Sequence, residues 1–349
     1  MNKKKQLVIL KEDLPEYNLK TGTMGLVDSL KDDYVDVLFF EILNIKTKKV
    51  KETKCSNLDK NKLIKIENFY TTNRLKSKNI WVKIGLCLYF PIGALLAINR
   101  LILGGLILGL IQIIKPLQFN NTFVSVLCYL GGFVPIIKNK EEFEKSDAKV
   151  IVSNHVSLLD HTAFQSFNKA CSLSTRMLAQ NLLYKIFFSM LGGELVQLDE
   201  KQTIPELKNR LGDLLEDAPY KKILIFPEGT VHNGKFLHFF HSFAFTLSDS
   251  VLPVTLKIRS LFPICYYPFG KDQILNLLWT IFLPVNFYHC TLLPTAHREP
   301  DETPQEFAYR VQQLIASDLN IIGTNVTNKQ KSLYTKDREF YRDFINLDE

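Results

Sequence analysis

The chain has no paired cysteines. Its six, Cys55, Cys87, Cys128, Cys171, Cys265 and Cys290, are scattered without a CxxC spacing, which excludes a zinc ribbon or a dithiol redox site and points to the reducing cytosolic side. No cleavable signal is recognisable at the lysine-rich start. A helix-turn-helix pattern, a zinc spacing and an aromatic RNA-binding signature are also missing, so no nucleic-acid partner is expected. The formal charge of +7, densest among the lysines of residues 1–85, then suggests a different anionic surface, that of a membrane. Tryptophan is scarce. Both copies, Trp81 and Trp279, stand beside apolar runs, where an indole sits well at a membrane interface.

With 349 residues there is room for roughly two or three domains. Residues 1–70 alternate β-branched and aromatic runs ("QLVILKED", "DYVDVLFFEIL", "KLIKIEN") with turns that use Gly22 and Gly25. This pattern predicts a small SH3-like β-barrel, an accessory module with a possible protein partner. Residues 71–83 form a basic linker. Residues 84–114 are apolar and bounded by Lys83 and Lys115; as one helix they would measure about 45 Å, against a hydrocarbon core of roughly 30 Å. Pro91 and the pair Asn99-Arg100 interrupt the run. A re-entrant membrane hairpin over 84–115 fits, with both basic flanks facing the cytosol, and so does a tilted, kinked anchor. A buried pair of core helices is the soluble alternative, with Arg100 paired inside the protein rather than reaching lipid head groups.

From residue 116 to 325 strand and helix patterns alternate: "AKVIVSNH", "LSTRMLA", "ELVQLD", "KKILIFPEGT" and "SVLPVTLKI" read as strands with helical stretches between them. That order predicts an α/β sandwich on a mainly parallel sheet. The apolar stretch 274–290 suits either a membrane interface or the core. Thr303, Pro304 and Glu306 spell a helix-opening capping box, and residues 326–349 read as a polar, loosely ordered tail.

Two strand ends carry chemistry. "VSNHVSLLDH" delivers Asn154 and His155 to the carboxyl edge of the sheet with Asp160 five residues after the histidine, so Asp160 can orient the imidazole as a base. The alternative is that Asp160 and Ser157 only cap a helix. About seventy residues later, "LIFPEGTVHNGKFL" delivers Pro227, Glu228, Gly229 and Thr230 to the same kind of edge. His232, His238 and His241 lack a fourth ligand at metal spacing, and no metal site is expected.

The order NHxxxxD, FPEGT, V-x-P-V resembles the glycerolipid acyltransferases of the lysophosphatidic-acid-acyltransferase type, over about residues 84–325. The apolar segment before the first block, "LLWTIFLPVNFY" and "QEFAYRVQQLIASDL" are most like a lipid-droplet and endoplasmic-reticulum branch of that superfamily. The resemblance implies a fold, an acyltransferase-like α/β domain behind a membrane segment, and an activity, acyl transfer from acyl-CoA to a lysolipid hydroxyl with no bound cofactor. It makes His155 the general base and Asp160 its orienting partner; Asn154, Pro227, Glu228, Gly229 and Thr230 shape the acceptor site, and Pro253 sits on a supporting strand. It also implies the endoplasmic-reticulum membrane and the lipid-droplet surface, facing the cytosol. A non-catalytic scaffold of the same surfaces is the other reading. The superfamily's basic positions are lost: Leu198 ends "GGELVQL", Val231 and His232 follow FPEGT, and "FFHSF" replaces a phenylalanine-lysine-glycine element. Arginine grips phosphate through bidentate bonds, so the expectation is either an acceptor other than lysophosphatidic acid or a head-group site that has decayed.

Overall fold

The computed structural model describes residues 7–10, 14, 24–30, 34–44, 49–59, 63–65, 73–113, 121–164, 171–175, 194–198, 203, 205–207, 209–211, 222–267, 273–328 and 331. Five strands open the chain: β1 (Leu7–Leu10), β2 (Met24–Leu30), β3 (Tyr34–Asn44), β4 (Lys49–Asp59) and β5 (Leu63–Lys65). They pair in the order β4-β3-β2-β1-β5, and each pairing is antiparallel. The β character of the module is as expected. Among the described residues these strands form one antiparallel sheet, and closure into an SH3-like barrel is not shown.

The main sheet contains β6 (Phe133–Lys138), β7 (Val150–Ser153), β8 (Cys171–Thr175), β9 (Glu194–Leu198), β10 (Ile223–Ile225), β12 (Ser250–Ser260) and β13 (Asn286–Leu292), in the order β6-β13-β12-β7-β10-β8-β9, with β14 (Ala296–His297) beside β12. The run β12-β7-β10-β8-β9 is parallel, as the alternating pattern required. At the other end β13 and β14 run antiparallel to β12, which makes the sheet mixed. The short β11 (Phe236–Leu237) pairs in parallel with β15 (Ile322–Gly323). Val150, Ile151 and Val152 are at most 2% exposed, because β7 lies between two neighbours and is covered on both faces, the condition that suits β-branched side chains.

Two apolar layers cover the sheet. One contains Ile151, Leu224, Leu252, Val254, Leu256, Tyr288 and Phe164. The other contains Val150, Val152, Ile225, Phe245 and the buried stripe Phe307, Val311, Ile315 of the last helix. That helix, Pro304–Leu319, opens on the expected capping box: Thr303 accepts from the Glu306 amide, and Glu306 accepts from the Thr303 amide.

The apolar region departs from the hairpin reading. Residues Ile80–Ile113 form one continuous helix, α1, with Pro91 inside it, about 50 Å long at 1.5 Å per residue. It starts at Ile80 because Asn79 Oδ1 accepts from the Trp81 amide at 2.9 Å, an N-cap the apolar pattern alone does not reveal. A second helix, α2 (Asn121–Gly131), follows as a separate element. Among the described residues one helix, over Ile80–Leu106, is long and apolar enough to cross a membrane. The polar pair does not break α1. Asn99 Nδ2 donates to Leu95 O, and Arg100 donates to the carbonyls of Leu130, Ile281, Leu283 and Pro284. The stretch 274–290 divides into a third helix, α3 (Gln273–Phe282), with Ile274, Leu275 and Leu278 exposed, and strand β13, which lies in the main sheet. Arg100 therefore closes the carboxyl end of α3, where free carbonyls and the negative helix pole favour a cation.

Tyr89, Gly93, Ala97 and Arg100 form the stripe of α1 that meets the domain. Tyr89 OH donates to Phe282 O at 2.8 Å, the Phe282 ring lies directly over Gly93, and Ala97 packs on the core. Gly132 completes the seat: its φ is +82°, and a Cβ there would lie 2.5 Å from Arg100 Nη2. Replacing Arg100 with methionine leaves these carbonyls without donors. At about 1–3 kcal/mol for each buried orphan, unfolding in detergent should become easier by on the order of 3 kcal/mol. Gly132→Ala should do comparable damage, and an unchanged melting temperature for both variants would show that the seat contributes little. Two linker residues are tied to the domain: Leu75 bridges Ile264, and Arg74 donates to Cys265 O and to Asn276 Oδ1.

Candidate active site

Parallel β7 and β10 end side by side, with Val152 in register with Ile225, and each then turns into one of the two polar blocks. Asn154 extends β7 by one rung: its Nδ2 donates to Leu256 O at 2.9 Å and its Oδ1 accepts from Leu256 N at 2.8 Å. It is fully buried, so it braces the turn and does not face a ligand. His155 follows at the lip with 16% of its side chain exposed, while Asp160 is fully covered.

His155 Nδ1 lies 2.8 Å from Asp160 Oδ2, and the same oxygen accepts from the amides of Val156 at 2.6 Å and Ser157 at 3.0 Å. One carboxylate oxygen thus serves both the imidazole and the backbone of the turn. It ties off the turn, and it fixes the tautomer with Nδ1–H bonded and Nε2 free to take a proton. The helix begins at His161, not near Ser157, so Asp160 stands just before it. The imidazole is stacked on Phe226, with centroids 4.2 Å apart and planes at 13°. Phe226 is a residue that spacing did not single out, although it is the last apolar position of the strand that delivers Pro227.

Glu228 is fully buried and takes one backbone donor on each oxygen: His155 N at 2.9 Å and His238 N at 2.8 Å. His232 N also donates to His155 O at 2.8 Å. The two blocks therefore converge, and Glu228 joins them from behind instead of facing the acceptor. Burial pushes its carboxyl up to about 8, against the two amide bonds and Lys331, which favour the charged form. Pro227 is buried, and its carbonyl accepts from His241 N. Gly229 is exposed with φ +59°, a left-handed turn position that suits glycine. Thr230 is half-buried, and its Oγ1 accepts from Lys331 Nζ at 2.7 Å. Pro253 lies opposite Val152 on the neighbouring strand, where the resemblance put it.

Three further histidines surround this core. His161 Nε2 reaches Ser172 Oγ at 3.0 Å, and that hydroxyl donates to Leu224 O. His232 Nδ1 accepts from Gly234 N, so its Nε2 carries the proton and faces Glu228 Oε1 at 3.4 Å. His238 Nδ1 donates to Val326 O at 3.2 Å. Burial holds all three imidazoles well below their ordinary range, with further lowering of His161 by His155, of His232 by His238 and Lys331, and of His238 by Lys331. Among the described residues no group of three or more His, Cys, Asp or Glu is arranged to hold a metal ion. Lys331 is the residue the sequence hid: it lies in the stretch read as a loose tail, yet it is only 8% exposed and reaches Thr230 Oγ1 and Val231 O.

An imidazole oriented in this way at the ends of two strands can accept a proton. The acyltransferase family model matches residues 134–257, a span that contains both blocks and most of the sheet. Over a longer stretch the chain is similar to the lipid droplet-regulating VLDL assembly factor AUP1. The Xenopus laevis protein is 29% identical over 260 residues, which are 72% of this chain and 61% of that one. The Homo sapiens protein is 30% identical over 278 residues, 77% of this chain and 63% of that one. The chain thus spans about three fifths of the length of these relatives. The lysophospholipid acyltransferase LPEAT1 of Arabidopsis thaliana is 31% identical over 206 residues, 56% of this chain and 50% of that one. Among solved structures, the 1-acyl-sn-glycerophosphate acyltransferase PlsC of Thermotoga maritima aligns at a TM-score of 0.45 with 16% identity, over 68% of this chain and 96% of that one.

Proposed function

We propose that the chain is a membrane-bound O-acyltransferase that moves a fatty acyl group from acyl-CoA to the hydroxyl of a lysophospholipid or related glycerolipid. The observation that carries this reading is the His155–Asp160 pair at 2.8 Å with Nε2 at the open lip. In the reaction the acceptor O–H gives its proton to Nε2 as its oxygen attacks the thioester carbon. The C–S bond then breaks, and the imidazolium, held by Asp160, can return the proton to the departing thiolate. No bound cofactor takes part. The acceptor is a lysolipid other than lysophosphatidic acid, because Val231, at the usual place of a cation, is buried and Leu198 ends β9.

The chain works from one side of the bilayer. Helix α1 is fastened to the domain along its Tyr89 to Arg100 stripe, while Leu88, Ile92, Leu95, Ile98 and Ile102 on its other faces are more than half exposed. Ile274 at the start of α3 is 69% exposed and adds to the same apolar character. Such an anchor suits the cytosolic face of the endoplasmic reticulum and of lipid droplets, where a lysolipid acceptor resides. The amino-terminal sheet serves as a protein-binding module.

The test is transfer of labelled acyl groups from acyl-CoA to a panel of lysolipids, by membranes carrying the wild-type chain or His155→Ala. General base catalysis is worth about 10²–10⁴-fold, and a loss of that size is the expected result. A scaffold on the same surfaces is the second reading, supported by the assembly-factor names of the AUP1 relatives. It prevails if folded, membrane-bound protein transfers nothing with or without His155.

A further inference from the structure

After the last helix the chain does not leave the domain. Phe236 and Leu237 pair with Ile322 and Gly323, and a Cβ at Gly323 would lie 2.7 Å from the Gln313 side-chain amide and 3.1 Å from that of Gln312, so both amides lie close against the strand. Gln312 Nε2 donates to both Thr324 O and His238 O. Thr324 Oγ1 donates to Leu237 O, and the Phe239 amide donates to Val326 O. The strand is followed by a turn in which Lys331 N donates to Thr327 O, and two side chains from it then reach back to the FPEGT turn. Asn328 Nδ2 donates to Gly229 O at 3.2 Å, and Lys331 Nζ donates to Thr230 Oγ1 at 2.7 Å and to Val231 O. The ammonium also lies 4.9 Å from the Tyr267 ring centroid.

We propose that Lys331 is a positioning residue of the acyl-transfer site: it clamps the Thr230–Val231 backbone from behind and so holds Glu228, whose carboxyl carries the His155 amide. The proposal rests on the acyltransferase reading of the His155 site and adds a part to it. The superfamily's cation after FPEGT is lost at position 231, and here a positive charge arrives at that turn from 101 residues away in sequence. It does not touch substrate, because it is 8% exposed. Its influence passes along a short relay, from the ammonium to the turn, from Glu228 Oε1 to the His155 amide, and from His155 to the acceptor. The charged and titratable groups facing it are Glu228, His232 and His238, with Tyr267 beside it. Burial lowers the ammonium to about 8, and Glu228 opposes that shift.

Two readouts test the relay. In the transfer assay, Lys331→Met should lower kcat about tenfold, the weight of one charge-assisted hydrogen bond, and leave KM for acyl-CoA and for the lysolipid within about twofold. Thr230→Val should lower kcat by a smaller factor, and the double variant should lose no more than Lys331→Met alone, because the two changes break the same contact. Independently of catalysis, hydrogen exchange in peptides covering residues 224–238 should quicken in both single variants while the sheet strand 250–260 keeps its protection. Additive losses, a change confined to KM, or unchanged exchange would each overturn the clamp. If the wild-type protein transfers nothing, the acyltransferase reading fails, and the exchange arm still decides whether Lys331 holds the turn. Should Lys331→Met not fold, Thr230→Val carries the exchange test by itself.

Discussion

Replacing Asp160 with alanine is expected to lower both turnover and stability more than any other single change at the site. Oδ2 of this buried carboxylate receives the imidazole Nδ1–H and two backbone amides. Val156 and Ser157 are 8% and 3% exposed, so their amides have little access to water as a substitute. Leaving a buried donor unpaired costs about 1–3 kcal/mol, which makes a loss near 3 kcal/mol the expected result in denaturant unfolding. Turnover should fall about 10²–10⁴-fold, since the imidazole loses its fixed tautomer and the charge that stabilises the imidazolium. Asp160→Asn separates the two effects. The amide oxygen still accepts from the turn, so stability should fall by less, while the missing charge should leave kcat nearly as low. Full turnover in Asp160→Asn would remove Asp160 from the mechanism.

A stability maximum near pH 6.5 is the second large effect. His161, His232 and His238 are buried and held well below the ordinary histidine range, burial being the main cause. As pH falls below about 6.5 the unfolded chain takes up protons that the folded chain refuses, so each histidine removes up to about 1.4 kcal/mol of stability per pH unit. Glu228 acts in the opposite sense. Its folded value is about 8 against an ordinary 4.5, so its contribution is full below pH 4.5 and is lost as pH rises toward 8, again by up to about 1.4 kcal/mol per unit. Three terms against one leave an acid limb of about 3 kcal/mol per unit below pH 6.5 and a shallower decline above it. Urea unfolding at pH 5.5, 6.5 and 7.5 measures both slopes. His238→Asn keeps a donor for Val326 O and should take about a third of the histidine contribution off the acid limb. A flat profile below pH 6.5 would contradict the burial of these rings as neutral groups.

Much of the frame of the candidate site is visible in the chain because it rests on short-range chemistry. Runs of β-branched residues specify β7 and β12 wherever the sheet covers both their faces. The box of Thr303 and Glu306 starts the last helix through contacts three residues apart. His155 and Asp160 are five residues apart and meet within one turn, so their pairing is as local as a helix cap. The convergence of the two blocks is nearly as local in its logic, because parallel strands in register bring their carboxyl ends to one edge.

Other features turn on partners that no local pattern announces. An apolar run containing Asn99 and Arg100 suits a broken hairpin as well as a helix until the carbonyls at the end of α3 supply Arg100 with acceptors 181 and 183 residues away. Glu228 and Thr230 read equally well as acceptor ligands, and it is burial and the amides of His155 and His238 that turn the carboxyl inward. Lys331 looks like one more charge in a polar stretch, and only its return across the FPEGT turn makes it part of the site. Sequence by itself determined the strands, the pairing of His155 with Asp160 and the capped start of the last helix, since each follows from side chains close together in the chain. Tertiary structure alone decided which polar groups are sealed from water and which neighbours satisfy them, because a buried donor or charge takes its partner from whatever the fold brings within about 3 Å.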